Sequence, residues 1–353
     1  MKIYIYSCSA ISPQPTFDKQ WSNQIRKVFS STRLMCIEPI YKNFIDSKML
    51  RRMSRVIRLG VTAALDCLNN AKLEQPDAII IGTAYGCLED TSIFLTKMIE
   101  NNEEMLTPTA FIQSTHNTVG SQIALMIKCH NYNNTFAHGG LSFESALFDA
   151  ASILSEESIT TVLVGGIDET TSQSYNILNR FGLYRRVNVS SENLFSTVEK
   201  GTISGEGATF FLLGNKIPLQ PSVCLEKFTT FIKPENTLAV ESEISSFLNS
   251  QSLHVNSIDL VIFGRNGNSK GDEIYSYLEE SLFKDTKSCN YKHLCGEYPT
   301  SAAFALWLGT ITLLTGKIPF HDMYPYRNQH FKRVLIYNHD PLENHSLFLL
   351  TAC

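Results

Sequence analysis

The chain has 353 residues, of which 43% are hydrophobic and 18% charged, with a formal net charge of −4. This is an ordinary globular composition, large enough for one big core or two halves; it gives no indication of nucleic-acid binding, and no apolar run approaches the ~20 residues of a membrane span. The start of the chain lacks a signal peptide's long apolar region, and nine dispersed cysteines without a CxxC pair indicate reduced thiols, so we expect a cytoplasmic protein.

Apolar strands and amphipathic helices alternate along the first part of the chain. We predict strands at residues 1–11, 77–83 and 160–166, helices at 51–68, 88–99 and 113–128, and a glycine-rich turn entering a strand at 202–213. Residues 12–50 are polar and irregular, and Pro108 is expected to break the chain between two helices.

A second series of elements begins near residue 215. We predict strands at residues 223–231, 259–264, 333–337 and 346–351, with helices at 236–248, 272–283 and 301–314. Continuous apolar strands alternating with helices indicate an α/β protein whose sheets are covered on both faces. The repeated order predicts two related halves, residues 1–215 and 216–353, forming one compact unit.

The most informative stretch is a predicted strand-to-helix elbow. Residues 135–137 favour a strand, Gly139 and Gly140 permit a sharp turn, and a helix with apolar residues at three- and four-residue spacing follows from Ser142, a candidate N-cap. His138 is thereby placed close to a helix N-terminus, where backbone N–H groups favour an anion or a nucleophile.

Four further segments resemble one known family. Residues 81–88 resemble its first glycine-marked strand end, residues 163–168 a Gly-Gly strand, residues 200–208 a Gly-Glu-Gly-Ala turn, and residues 292–303 a lysine-containing segment before an apolar helix. In this order they resemble a β-ketoacyl synthase of the thiolase fold over nearly the whole chain.

The resemblance implies a five-layer αβαβα sandwich of two related halves. It also implies decarboxylative condensation of acyl and malonyl groups carried on the phosphopantetheine of an acyl carrier protein, with no other cofactor and no metal. Active members use a cysteine nucleophile that attacks the acyl thioester, and two histidines that assist decarboxylation and stabilise oxyanions.

The three catalytic positions depart from the family. His138 stands at the cysteine position, Asn266 is the best match to the first histidine, and Glu297 stands at the second. A shift of the alignment would place Arg265 or Gly264 at the first histidine instead. Because all three residue types are lost together, we expect a subunit that does not condense by itself.

Several other residues resemble supporting positions. Lys292 matches a lysine of the active-site network and could equally form a salt bridge with Glu297; Glu206 and Asn117 are interpreted as structural, with His116 a polar neighbour. Cys129 and Cys295 are interpreted as buried thiols. The family's glycine-rich gating turn is replaced by residues 338–345.

The first hypothesis is therefore a chain-length-factor-like subunit, similar to those of aryl-polyene or flexirubin-type clusters, that pairs with an active ketosynthase homologue and shapes its cavity. Two alternatives remain: a divergent acyltransferase or decarboxylase that uses His138, and a homodimer that only binds acyl chains or carrier protein. In the family the strand before the elbow, here Asn134, Thr135 and Phe136, pairs across the dimer axis. We expect no nucleic-acid partner.

Overall fold

Strands with uninterrupted apolar sequence form the centre of the protein. In the computed structural model, which describes residues 2–17, 26–156, 158–320, 330–341 and 343–353, every residue of the Ala78–Gly82 and Leu260–Phe263 strands is buried. Strands of this kind need helices on both faces of their sheet, and the helices supply them.

The elements follow one another in a largely alternating order. The strands are β1 Ile3–Ile11, β2 Ser30–Ser31, β3 Ala78–Gly82, β4 Tyr132–Phe136, β5 Thr161–Asp168, β6 Val189–Ser190, β7 Gly207–Gly214, β8 Val223–Ile232, β9 Leu260–Phe263, β10 Lys287–Asn290, β11 Arg333–His339 and β12 Asn344–Ala352. The helices are α1 Ser47–Leu50, α2 Arg55–Ala71, α3 Leu88–Glu100, α4 Pro108–Gln113, α5 Thr118–Met126, α6 Ser142–Ile153, α7 Ser172–Arg180, α8 Thr237–Asn249, α9 Ser269–Glu280, α10 Lys292–Cys295 and α11 Ser301–Thr315.

The main sheet repeats one strand order. Across the sheet the strands run β4-β3-β5-β7-β1 and then β8-β12-β11-β9-β10. When the five strands of each half are numbered along the chain, both halves have the order 3-2-4-5-1, read from the outer edge of the sheet towards its centre. From the outer edge inwards, the first two strand pairs of each half are parallel and the third is antiparallel. The two halves are joined at the centre by the antiparallel pair of β1 and β8. The predicted boundary near residue 215 falls in the connection between β7 and β8.

Three apolar clusters separate five layers. Helices α6 and α11 lie between the two halves of the sheet, and α11 is buried over almost its whole circumference, as expected of a helix covered on all sides. Helix α2 with α5 covers the outer face of the first half, and α8 with α9 covers that of the second. This is the predicted five-layer α/β arrangement of the thiolase fold.

The predicted helix at residues 113–128 is wrong in its start. Pro108 does not break the chain but begins α4, where its missing N–H costs nothing, and a turn separates α4 from α5. The Thr115 and Thr118 hydroxyls donate to the Ile112 carbonyl at 3.0 and 2.8 Å. These bonds satisfy a carbonyl at the end of α4 and favour the turn over a continuous helix.

All nine cysteines are free thiols. No helix in the described part of the chain is both long and apolar enough to cross a bilayer. Within the same residues, no group of three histidine, cysteine, aspartate or glutamate side chains is placed to hold a metal ion.

Candidate functional site

The elbow is fixed by one serine. The Ser142 hydroxyl accepts the N–H of His138 at 2.8 Å and donates to the Gly139 carbonyl at 2.7 Å. The prediction of Ser142 as N-cap is wrong, because Leu141 holds that position and Ser142 is the first residue of α6. Gly139 has φ +55°, which explains a glycine at this turn.

His138 is exposed in the protomer. Its Nδ1 lies 3.2 Å from the Ser145 hydroxyl, one turn into α6. The imidazole is therefore not buried inside the site. The imidazole instead lies along the helix surface beside the edge strand β4.

Asn266 is buried in the turn after β9. Its side-chain oxygen accepts the Asn268 N–H at 3.0 Å, which orients the amide so that Nδ2 donates to Glu297 Oε2 at 2.7 Å. The carboxylate of Asp272 accepts the N–H of Asn266 and that of Gly267 at 3.0 and 2.7 Å, and burial raises the pKa of Asp272 to about 6. Arg265, the alternative for this position, points instead to Glu279 at 2.8 Å.

Glu297 and Lys292 form a buried salt bridge. The Lys292 ammonium donates to both Glu297 carboxylate oxygens, at 3.0 and 2.7 Å, and the two side chains are 0% and 8% exposed. A third donation reaches the His339 carbonyl at 3.3 Å. The Lys292 ammonium and the Asn266 amide thus both donate to Glu297.

The segment that replaces the gating turn packs onto this network. The His339 ring stacks on Tyr275 at 5.0 Å, and its Nε2 lies 2.9 Å from the Gly271 carbonyl. Burial, assisted by the Lys292 charge, lowers the pKa of His339. Asp340, the next residue, is 6% exposed and lies directly against Gly140 of the elbow.

A further carboxyl is buried behind the elbow. Glu144, in the first turn of α6, is 1% exposed, and neither of its oxygens has a partner with hydrogen-bond geometry among the described residues. The Ser346 hydroxyl faces it and lowers its pKa somewhat, but burial dominates and raises the pKa to about 7. Nearby Asp340 acts in the same direction as burial.

The other predicted residues lie around rather than inside this network. Glu206 accepts the backbone N–H groups of Cys36 and Thr170 at 2.8 and 3.2 Å and binds Arg55, so it joins three segments of the chain. The side chain of Asn117, exposed before α5, lies 2.8 Å from the Thr115 hydroxyl.

The neighbouring histidine and the two candidate thiols have ordinary surroundings. His116 is exposed beside Gly86. Cys129 and Cys295 are buried, and burial raises the pKa of Cys295 well above its usual range. Cys295 is therefore a neutral thiol and not a replacement nucleophile.

Sequence reasoning missed four residues of the site: Asp272, His339, Asp340 and Glu144. It also missed Tyr85, whose pKa is raised to about 12, mainly by burial and then by the nearby Asp168 charge. Glu144 carried a signal, because it is a carboxyl on an otherwise apolar face four residues after Gly140. The remaining four required knowledge of which turns meet in three dimensions.

The chemistry that this arrangement allows is limited. The Lys292 ammonium already serves Glu297, and the Asp340 and Glu144 carboxyls lie near each other. An anion entering this site would therefore find the Lys292 ammonium already paired with a carboxylate. Neither of the two network positions, Asn266 and Glu297, carries an imidazole to promote decarboxylation.

Comparison with known proteins agrees with the fold. A family model described as the β-ketoacyl synthase N-terminal domain matches residues 19–185. No curated protein sequence matches the chain.

Solved structures match over the full length. A β-ketoacyl synthase from Burkholderia phymatum STM815 has a TM-score of 0.79 at 13% identity, covering 100% of this chain and 99% of that one. The ishigamide ketosynthase/chain length factor has a TM-score of 0.76 at 14% identity, with 99% and 98% covered. The type II polyketide complex AntDE:AntF, a ketosynthase with its acyl carrier protein, has a TM-score of 0.76 at 10% identity, with 100% and 99% covered.

At these identities the solved structures establish the fold, and the family model adds a match in sequence over the first half. The chain therefore resembles β-ketoacyl synthases in sequence over residues 19–185 and shares the fold of the solved ketosynthase structures over its full length.

Proposed function

We propose that this chain is a non-condensing, chain-length-factor-like subunit that pairs with an active β-ketoacyl synthase and shapes its acyl cavity. The observation that carries the proposal is the buried Lys292–Glu297–Asn266 network. It joins the residues at both histidine positions to each other, while the nucleophile position holds His138.

The network argues against catalysis by this chain because its groups are already satisfied. Hydrogen-bond donors stabilise a developing oxyanion only where they point at the place it will occupy. The Lys292 ammonium and the Asn266 amide point at Glu297, and a carboxylate there accepts rather than donates. Restoring one catalytic residue type therefore leaves the other requirements unmet.

The edge strand β4 supports pairing with a partner. Within the described residues β4 bonds only to β3, so its other side is a sheet edge to which another strand can be added, although the Thr135 N–H already donates to the Asn134 side chain at 2.9 Å. A groove of about 600 Å³ runs between β4 and α5, lined by Asn134 and Thr135 among others. Leu125 on α5 is 66% exposed and Tyr132 on β4 46%, which suits an interface that removes them from water.

The acyl carrier protein is the second proposed partner. Lys42, Lys48, Arg51 and Arg52 are exposed on adjacent short elements, giving a local positive surface on a chain of net charge −4. Such a surface suits the phosphodiester of a carrier's phosphopantetheine. We propose that this chain uses no cofactor beyond that prosthetic group, and that it works in the cytoplasm.

One observation favours a second candidate, a divergent acyltransferase. The His138 imidazole is exposed, lies at the start of a helix and contacts the Ser145 hydroxyl. An acyl-imidazole would, however, hydrolyse readily, which makes it a poor holding group. A homodimer that binds acyl chains without catalysis is the third candidate and would use the same β4 edge.

Product formation by the reconstituted complex separates these candidates. The active homologue alone, this chain alone and the two together are incubated with acyl and malonyl carrier protein. We expect product, with a defined chain length, only when both are present, and we expect His138→Gln to retain it. Loss of turnover in His138→Gln with assembly and stability unchanged would move the acyltransferase ahead.

A further inference from the structure

We propose that the turn joining β11 to β12 is a built-in plug, in which the Asp340 carboxylate packs against Gly140, just before α6, and keeps a foreign carboxylate out of the elbow. The plug is defined here as the described residues 338–341 and 343–345. The statement that the elbow carries no acyl group rests on the proposed function, but the plug itself is tested on this chain alone.

The first step is the fit between the plug and Gly140. A Cβ added at Gly140 would lie 1.9 Å from Asp340 Oδ2, 2.7 Å from its Cγ and 3.0 Å from its Cβ. Only a residue without a side chain therefore allows the carboxylate to reach the elbow. Gly140 has no positive φ to explain it, so the close approach of Asp340 is the reason for this glycine.

The second step is the orientation of Asp340. The backbone N–H of Asn344 donates to Oδ1 at 2.9 Å, and its side-chain amide donates to Oδ2 at 2.8 Å. The Asp340 N–H returns a bond to the Asn344 carbonyl at 3.0 Å. These bonds hold the carboxylate rigid before any ligand arrives, and Asp340 is only 6% exposed.

The third step is the electrostatics of the place that Asp340 fills. Helix α6 has twelve residues, and its N-terminal end favours an anion. In the first turn of the same helix, Glu144 is almost fully buried, and neither of its carboxyl oxygens has a partner with hydrogen-bond geometry in the described structure. Burial, assisted by nearby Asp340, raises the pKa of Glu144 to about 7, so this carboxyl adds little negative charge to the elbow below that pH.

The fourth step is the anchoring of the plug at its other end. His339 contacts the Gly271 carbonyl through Nε2 at 2.9 Å and stacks on Tyr275, while its carbonyl accepts from Lys292. His345 stacks on His339 at 5.2 Å. The plug therefore joins the elbow to α9 and to the Lys292–Glu297 pair, and a carboxylate ligand would have to displace it from all three.

Thermal unfolding of four proteins tests the contact: the wild type, Gly140→Ala, Asp340→Ala and the double variant. We expect each single change to lower the Tm by several degrees, and the double variant to lose clearly less than the sum of both, because the added Cβ no longer meets a carboxylate. Additive losses would overturn the proposal. If Asp340→Ala does not fold, Asp340→Ser keeps a hydrogen-bonding side chain and enters the same comparison.

Carboxylate rescue tests what the plug replaces. The Tm is measured in rising sodium acetate against sodium chloride of equal ionic strength. We expect acetate to raise the Tm of Asp340→Ala more than chloride does, and to make no such difference in the wild type or in Asp340→Asn, which keeps the shape of the side chain. An equal response of all three proteins, or none in Asp340→Ala, would show that the elbow takes no carboxylate.

Discussion

Glu297→Gln is the most informative single change in the buried network. Glutamine keeps the size of the side chain and one acceptor oxygen, but it removes the only carboxylate bonded to Lys292 in the described structure. The ammonium is then left 0% exposed with two neutral acceptors, the glutamine oxygen and the His339 carbonyl at 3.3 Å.

Removing one partner of a buried ion pair typically costs about 3–5 kcal/mol, because the remaining charge loses its compensation but stays out of water. We expect the lower end, about 3 kcal/mol, since glutamine still accepts a hydrogen bond. Replacing both partners with apolar residues, Lys292→Met with Glu297→Leu, should cost less than Glu297→Gln alone, since no charge remains buried.

Urea unfolding of the folded protomer or dimer at fixed protein concentration measures these differences. The control is Glu279→Gln, which breaks the more exposed salt bridge to Arg265, at 2.8 Å with side chains 30% and 17% exposed. That change should cost no more than about 1 kcal/mol. A loss of less than about 1 kcal/mol in Glu297→Gln as well would show that the network does not hold a buried charge, and the reasoning would fail.

Three further outcomes follow from the same structure. In the folded protein Glu144 keeps its proton up to about pH 7, whereas the unfolded chain loses it near pH 4.5, so the free energy of unfolding falls as the pH rises between these values. In urea titrations at several pH values, Glu144→Gln should remove up to about 3 kcal/mol of that fall. An unchanged pH dependence of the free energy of unfolding would contradict this prediction. Leu125→Arg should abolish dimerisation in light scattering, whereas Leu238→Arg, equally exposed on α8, should not; a monomeric wild type would refute the interface. His138→Cys alone should form no condensation product, because Asn266 and Glu297 still lack imidazoles, and any turnover by that variant would refute this reading.

The sequence predicted most strands and the layered arrangement because continuous apolar strands can only be buried on both faces. The strand β3 illustrates this, since all five of its residues are buried. The apolar helix α11 is likewise almost completely buried, between the two halves of the sheet. The single helix predicted at residues 113–128 was wrong in its start because of side-chain hydrogen bonds. The Thr115 and Thr118 hydroxyls bond the Ile112 carbonyl and end α4, and the spacing of apolar residues does not reveal such bonds.

The site was predicted in its residues but not in its geometry. The positions of His138, Asn266 and Glu297 could be inferred from a resemblance, yet the link between Asn266 and Glu297 depends on two turns that are 31 residues apart. The contact between Gly140 and Asp340 spans about two hundred residues and leaves no periodic signal. Phe136, one of the residues predicted at the dimer axis, packs partly into the core, so replacing it would disturb the fold as well as the interface. The exposed Leu125 is therefore a better residue with which to test the interface.

The location of the acyl group in the assembled complex tests the central claim most directly. The complex of this chain with an active β-ketoacyl synthase homologue is incubated with acyl carrier protein thioester, and the intact mass of each subunit is measured. We predict a stoichiometric acyl adduct on the partner only, lost when the partner's nucleophilic cysteine is replaced, and none on this chain. A stoichiometric adduct on this chain that disappears in His138→Gln would contradict the account.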